Sequence, residues 1–139
     1  IEYIQGDVIS MPFAENSFDC ITVGFGFRNL TYRNPNRDRY LLEIFRVLKN
    51  NGKFFILESG IPQNPVIRFV FKTYLYLILI PLGLIVSGSF KAYRYLAQSS
   101  AGFYNMEEIK NLLEDYGFVI FSTRKFSLGA ACLTVAYKP

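Results

Sequence analysis

Apolar and polar positions change rhythm several times along this chain, and each change marks an element. Ile1-Glu2-Tyr3-Ile4-Gln5-Gly6-Asp7 alternates and stops on Gly-Asp, which predicts a short strand opening into a loop. The loop holds Pro12, Glu15, Asn16 and Ser17. Phe18-Asp19-Cys20-Ile21-Thr22-Val23 then reads as a second strand. It is apolar enough on both faces for the centre of a parallel sheet, and it breaks at Gly24-Phe25-Gly26.

After the polar stretch from Asn34 to Asn36 the period lengthens. Leu41, Ile44, Phe45 and Leu48 recur at helical spacing, with Pro35 near the start and Asn50-Asn51-Gly52 as the stop. Lys53 to Glu58 follows as a third strand. Strand, helix and strand joined by tight turns form a βαβ unit, whose strands run parallel. Further on, Asn105 caps a helix that runs to Tyr116, with Glu108 completing a capping box. Its apolar face is Met106, Ile109, Leu112, Leu113 and Tyr116, and Gly117 closes it. Phe118 to Thr123 and Ala131 to Tyr137 read as two strands with a short loop between them, an antiparallel hairpin at the sheet edge. The fold class is α/β.

Residues 66 to 87 are almost entirely apolar. The charge-free part, Thr73 to Ser89, is 17 residues long and is interrupted by Pro81 and Gly83. A membrane crossing takes about 20 apolar residues. The expectation is a buried helix, or one touching a lipid-like ligand or the membrane interface, rather than a span.

Composition narrows the function. With 139 residues there is room for one domain, and 24 aromatics with 51% hydrophobic residues exclude a disordered chain. A net charge of +4 without a dense Lys/Arg block gives no footprint for nucleic acid. The chain has no histidine, which removes the usual general base and the usual catalytic triads. Cys20 and Cys132 belong to no CxxC, so neither suggests a zinc site, and both are expected as buried, reduced thiols of a cytoplasmic protein. There is no signal peptide. The chain begins on Ile1 inside a strand-like run, which suggests a missing upstream segment.

Several local patterns resemble the class I methyltransferases. They are Gly6-Asp7 with Met11-Pro12-Phe13 and Asn16-Ser17-Phe18-Asp19, then Phe45-Arg46-Val47-Leu48-Lys49 before Asn51-Gly52 and a strand ending in Glu58, then Tyr116-Gly117-Phe118 before the hairpin. Gly24-Phe25-Gly26-Phe27-Arg28-Asn29-Leu30 and Tyr93-Arg94-Tyr95-Leu96-Ala97-Gln98-Ser99 are more specific. They resemble segments of the C-methyltransferases of menaquinone and ubiquinone biosynthesis. The resemblance implies a Rossmann-like fold with a mostly parallel sheet, a C-terminal hairpin and the N-terminal strands missing. Residues 1–139 would be one partial domain, with about 61–104 as an apolar substrate or lid insertion.

The same resemblance implies S-adenosylmethionine as cofactor and a prenylated quinol as substrate. Asp7 would accept from the adenine amino group and Val8 would offer its N–H, unless Asp7 only bonds its own turn. Gly24 and Gly26 would let the backbone approach the methionine part, or simply make a tight turn. Arg28 and Asn29 are the catalytic candidates. Ring methylation needs a phenolate, a guanidinium can hold that oxyanion, and Asn29 can orient the hydroxyl. Arg28 could equally serve a salt bridge. Tyr93, Tyr95 and Ser99 would line the ring pocket or pack a helix.

No GxGxG turn and no ribose-gripping acid are present, so the family fold is expected to be cut between its second and third strands. Poor cofactor binding by the isolated chain follows from that. An open sheet edge leaves room for homodimer pairing, and the apolar stretch leaves room for peripheral membrane contact. Two other readings stay open: a methyltransferase of another apolar acceptor, and a non-catalytic half-domain that binds a partner or a membrane.

Overall fold

The computed structural model describes residues 2–139. Its centre is a four-stranded sheet in the order β1-β2-β4-β3. The strands are β1 (Phe18–Gly24), β2 (Leu48–Ser59), β3 (Val119–Phe126) and β4 (Ala131–Tyr137). β1 and β2 are parallel. β4 returns antiparallel between β2 and β3, pairing with both. The sheet is therefore mixed rather than mostly parallel. The expected C-terminal hairpin is present, with β3 at the edge and β4 inside.

Two strand expectations change. Ile1 lies outside the described residues, and residues 2–7 form no strand. A strand exists through its ladder partner, and this segment has none among the described residues. Among the described residues β1, expected at the centre of a sheet, pairs with β2 alone and lies at the edge. Asp19, Cys20 and Thr22 are consequently exposed. Cys20 is thus not the buried thiol expected, whereas Cys132 is buried.

The helix between β1 and β2, here α2 (Arg37–Val47), buries Leu41, Ile44 and Val47 against the sheet. It stops earlier than Asn50, at a Leu48 already in extended conformation. Asn51 takes φ +63° inside the strand that follows. That kink is tied down by the C-terminal end of the chain: Asn51 N–H donates to Lys138 O at 2.7 Å, and Lys138 N–H donates to Gly52 O at 3.2 Å. A short helix α1 (Phe27–Thr31) precedes α2 and starts where β1 ends.

The apolar stretch forms one helix, α3 (Pro65–Ser87), 23 residues long and including a π-helical segment, Tyr74–Leu79. By length and composition it could cross a membrane. The buried-helix expectation fails, since only 11% of its most apolar window is buried. α4 (Phe90–Ala101) doubles back along it, and Gly83 lies so close against the Tyr93 ring that no side chain would fit there. α5 (Met106–Asp115) carries the expected capping box, with Asn105 accepting from Glu107 and Glu108 N–H while Glu108 accepts from Asn105 N–H. It buries Ile109, Leu112 and Leu113.

These elements enclose one buried apolar cluster, with Phe27, Leu41, Ile44, Leu48, Phe54, Phe103, Leu113 and Phe118 among its members. Phe54 and Phe118 stack at 5.5 Å between ring centroids, and Phe45 meets Phe118 edge-on at 5.0 Å. The core thus fixes α1, α2 and α5 relative to the sheet, and α1 carries the residues that matter next.

Candidate functional site

Open α/β sheets bind ligands beyond the C-terminal ends of their parallel strands. Here those ends are Gly24 on β1 and Ser59 on β2. Directly after Gly24 the chain turns sharply: Phe25 takes φ +52° and its N–H donates to Leu57 O at 2.8 Å. Gly26 then caps α1. Gly24 is exposed and has open space where a side chain would be.

Arg28 and Asn29 are neighbours in α1 with different surroundings. Arg28 is 5% exposed. Its backbone N–H donates to Glu58 Oε2 at 3.0 Å, and its Nη1 donates to Ser100 Oγ at 2.9 Å and lies 3.7 Å from Glu58 Oε1. Glu58 is itself buried and also accepts from Ser59 N–H at 2.8 Å. Arg28 Nε is buried without a partner. The guanidinium is therefore committed to the end of β2 and to α4. Asn29 is exposed and faces the other way, into a cleft.

That open cleft has a volume of about 860 Å³ and lies between the α1–α2 connection, α4 and the π-helical part of α3. Asn29, Tyr95 and Ser99 all line it. Tyr95 OH donates to Asn29 Oδ1 at 3.3 Å, which joins α1 to α4 across the cleft. Ser99 is buried and spends its hydroxyl on the Tyr95 and Leu96 carbonyls, at 2.6 and 3.2 Å. Tyr93 is not in the cleft; it packs on Gly83 of α3.

Sequence reasoning missed Tyr32, Arg33, Tyr40, Tyr76 and Gln98, which also line the cleft. Among the described residues, Arg33 is the only charged one lining it. It takes φ +52° and places its guanidinium 5.2 Å from the centre of the Tyr32 ring. The run Tyr32-Arg33-Asn34-Pro35 was a signal that could have found it: an aromatic and a cation just ahead of a turn. Asn34 fixes that turn, donating from Nδ2 to Asn29 O at 2.8 Å and accepting from Asn36 N–H at 2.9 Å.

Gly24 and Gly26 thus sit at the end of β1 and the start of α1, whereas Asp7 and Val8, also expected to hold the cofactor, do not line the cleft. Asp7 is exposed and its Oδ1 accepts from Ile9 N–H at 3.0 Å, a local turn bond. Val8 is half-buried against the core. The loop is clamped to α2 by a tighter arrangement: Glu43 Oε1 accepts from Met11 N–H at 2.7 Å, and Arg46, paired with Glu43, donates to Phe13 O at 2.9 Å. The hydrogen bonds from Arg46 hold the Glu43 carboxyl below the usual glutamate range.

Comparison with known proteins places this geometry in a family. A methyltransferase of ubiquinone/menaquinone biosynthesis from Blochmanniella pennsylvanica is 38% identical over 136 residues, covering 98% of this chain and 52% of that protein. A demethylmenaquinone methyltransferase of Lactobacillus johnsonii is 35% identical, covering 99% of this chain and 54% of the relative. The chain thus spans about half the length of these relatives. Among solved structures, a SAM-dependent methyltransferase of Thermotoga maritima superposes with TM-score 0.64 at 17% identity, over 98% of this chain and 63% of that one. Another, from Aquifex aeolicus, gives 0.59 at 16%, over 97% and 53%. These structural likenesses establish a methyltransferase-like fold. The profile of the ubiE/COQ5 methyltransferase family matches residues 1–138, and the chain belongs to that family.

Proposed function

We propose that this chain supplies the acceptor side of an enzyme that transfers a methyl group from S-adenosylmethionine to a ring carbon of a prenylated quinol. The observation that carries the reading is the cleft, where Asn29, Tyr95 and Arg33 converge among aromatic rings beside the end of β1. When bound, S-adenosylmethionine supplies an electrophilic methyl group. The residues present fit one side of it. Gly24 leaves the strand end open, Gly26 continues that turn, Asp7 keeps an exposed carboxylate for an amino group, and Val8 follows it with a backbone N–H.

The protein's own part is to hold the ring and favour its phenolate. Asn29 accepts from Tyr95 through Oδ1, so its Nδ2 is left to donate to a ring oxygen. Arg33 brings a guanidinium charge to the cleft, the one charged side chain lining it among the described residues. A cation beside the ring oxygen stabilises negative charge as it develops. Tyr32, Tyr40 and Tyr76 give flat apolar faces for the ring. Arg28 is then a positioning residue: through Glu58 and Ser100 it sets α1 against α4, and so sets Asn29 against Tyr95 and Ser99. Residues 61–104 act as the lid of this site, and Tyr93 holds its two helices together.

We place the enzyme in the cytoplasm, where a methyl donor and a prenylated acceptor meet at the membrane. The test is acceptor choice. The intact natural protein, given S-adenosylmethionine labelled in its methyl group, is expected to label a demethylated prenyl quinol and to leave sterols and fatty acids unlabelled. Labelling of a sterol or lipid instead would replace the quinol reading.

A further inference from the structure

Beyond Lys72, helix α3 carries no charged residue, its last two turns are apolar on every side, and it is poorly covered. Such a helix belongs in a protein core or in lipid. α3 meets α4 along one narrow stripe, where Leu75 and Gly83 are buried. Around the rest, Phe69 is 72% exposed, Leu77 71%, Ile85 81% and Val86 75%. Phe90, at the start of α4, extends the same surface. Only Tyr76 of this helix reaches the cleft.

Charge identifies what covers it. From Ser59 to Met106 there is no Asp or Glu, and the four charged residues are Arg68, Lys72, Lys91 and Arg94. Lys72, Lys91 and Arg94 make no ion pair among the described residues. A second copy docking through this face would bring cations against cations. An anionic lipid surface complements them, and basic side chains flanking an apolar patch reach lipid phosphates by extending their stems.

Geometry sets the depth. α4 has 12 residues, so it is about 18 Å long at the helical rise. It cannot return across a hydrocarbon core of about 30 Å, and it carries Lys91 and Arg94. Both ends of the hairpin are tied to the sheet domain. Asn64 caps α3, Arg68 donates to Pro62 O at 2.9 Å, and Ser100 at the end of α4 bonds Arg28. The turn Gly88-Ser89 is the free end.

We propose that the α3–α4 hairpin docks this protein on an anionic bilayer and enters one leaflet without crossing it. Leu77, Leu82, Ile85 and Val86 are buried among acyl chains, and Lys72, Lys91 and Arg94 meet phosphates. The docking stands on exposure and charge and does not depend on methyl transfer. If the quinol reading also holds, a tail can remain in the leaflet while the ring enters beside Tyr76.

The experiment is sedimentation of the intact protein with phosphatidylcholine vesicles, with and without phosphatidylglycerol. Binding is expected to the anionic vesicles only, and to weaken with salt. Lys72→Gln and Lys91→Gln should each cost roughly fivefold, the ratio given by about 1 kcal/mol per basic residue. Ile85→Asp with Val86→Asp should abolish it, at positions too exposed to disturb folding. In a Cys20→Ser background, Ile85→Cys should react with a maleimide in buffer and become protected on anionic vesicles. Absence of vesicle binding would overturn the proposal, as would equal binding to neutral vesicles. An Ile85→Cys thiol unreactive before lipid is added would show the face covered by protein. A lipid-free dimer dissociated by Ile85→Asp would assign it to a second copy; either result overturns the proposal.

Discussion

Glu58 and Arg28 are thirty positions apart, both buried, and meet at 3.7 Å where β2 ends and α1 begins. Removing one partner of a buried pair strands the other charge, which costs about 3–5 kcal/mol. Arg28→Ala is therefore expected to lower stability by that order in urea unfolding of the intact protein. The double change Arg28→Met with Glu58→Leu is expected to recover most of it, because neither charge is then left alone. Equal losses in the single and double variants would show that the pair is not coupled.

Arg33 should act on the chemistry and Arg28 on the scaffold. A cation beside the ring lowers the pKa of the phenol it faces. Arg33→Gln removes that help, so the rising limb of the rate against pH should move to higher pH. The rate near neutrality should fall roughly tenfold, or about 1.4 kcal/mol. Thermal stability should stay unchanged, since Arg33 is exposed.

The Glu43–Arg46 pair predicts an acid-sensitive loop. Glu43 is held below its ordinary range by the hydrogen bonds from Arg46, with Met11 N–H adding to them. A carboxyl depressed in the folded state contributes stability that is full above its unfolded pKa and is lost as pH falls through the folded one. Glu43→Gln should flatten the acid limb of stability below about pH 4.5. Proteolysis near Met11 should rise at neutral pH.

The α5 capping box predicts a local effect. Asn105 serves two N–H groups at 2.9 and 3.0 Å, and Asn105→Ala should cost about 1 kcal/mol in unfolding. Site chemistry should not change, because α5 does not line the cleft.

Local signals reached the elements and not always their partners. The capping box, the period of α2 and the C-terminal hairpin were legible because each is decided within a dozen residues. The strand expected at residues 1–7 and the central place expected of β1 depend on neighbouring strands, which alternation alone cannot supply. Hydropathy marked α3 as a helix, but whether protein or solvent faces it is a tertiary property. At the site, Asn29, Tyr95 and Ser99 line one cleft, and Tyr93 packs on Gly83 instead. Arg28 was expected there too, but adjacent helical residues point in different directions, and Glu58 was the buried carboxylate waiting for it. Arg33 escaped notice because its left-handed backbone is visible only in the fold.

Steady-state kinetics of Asn29→Ala and Tyr95→Phe in the intact enzyme decide whether the cleft holds the acceptor ring. With a demethylated prenyl quinol, both variants should raise KM for the quinol and lower kcat, while calorimetric affinity for S-adenosylmethionine stays at the wild-type value. Wild-type quinol kinetics in both variants, or a loss confined to cofactor affinity, would contradict the assignment.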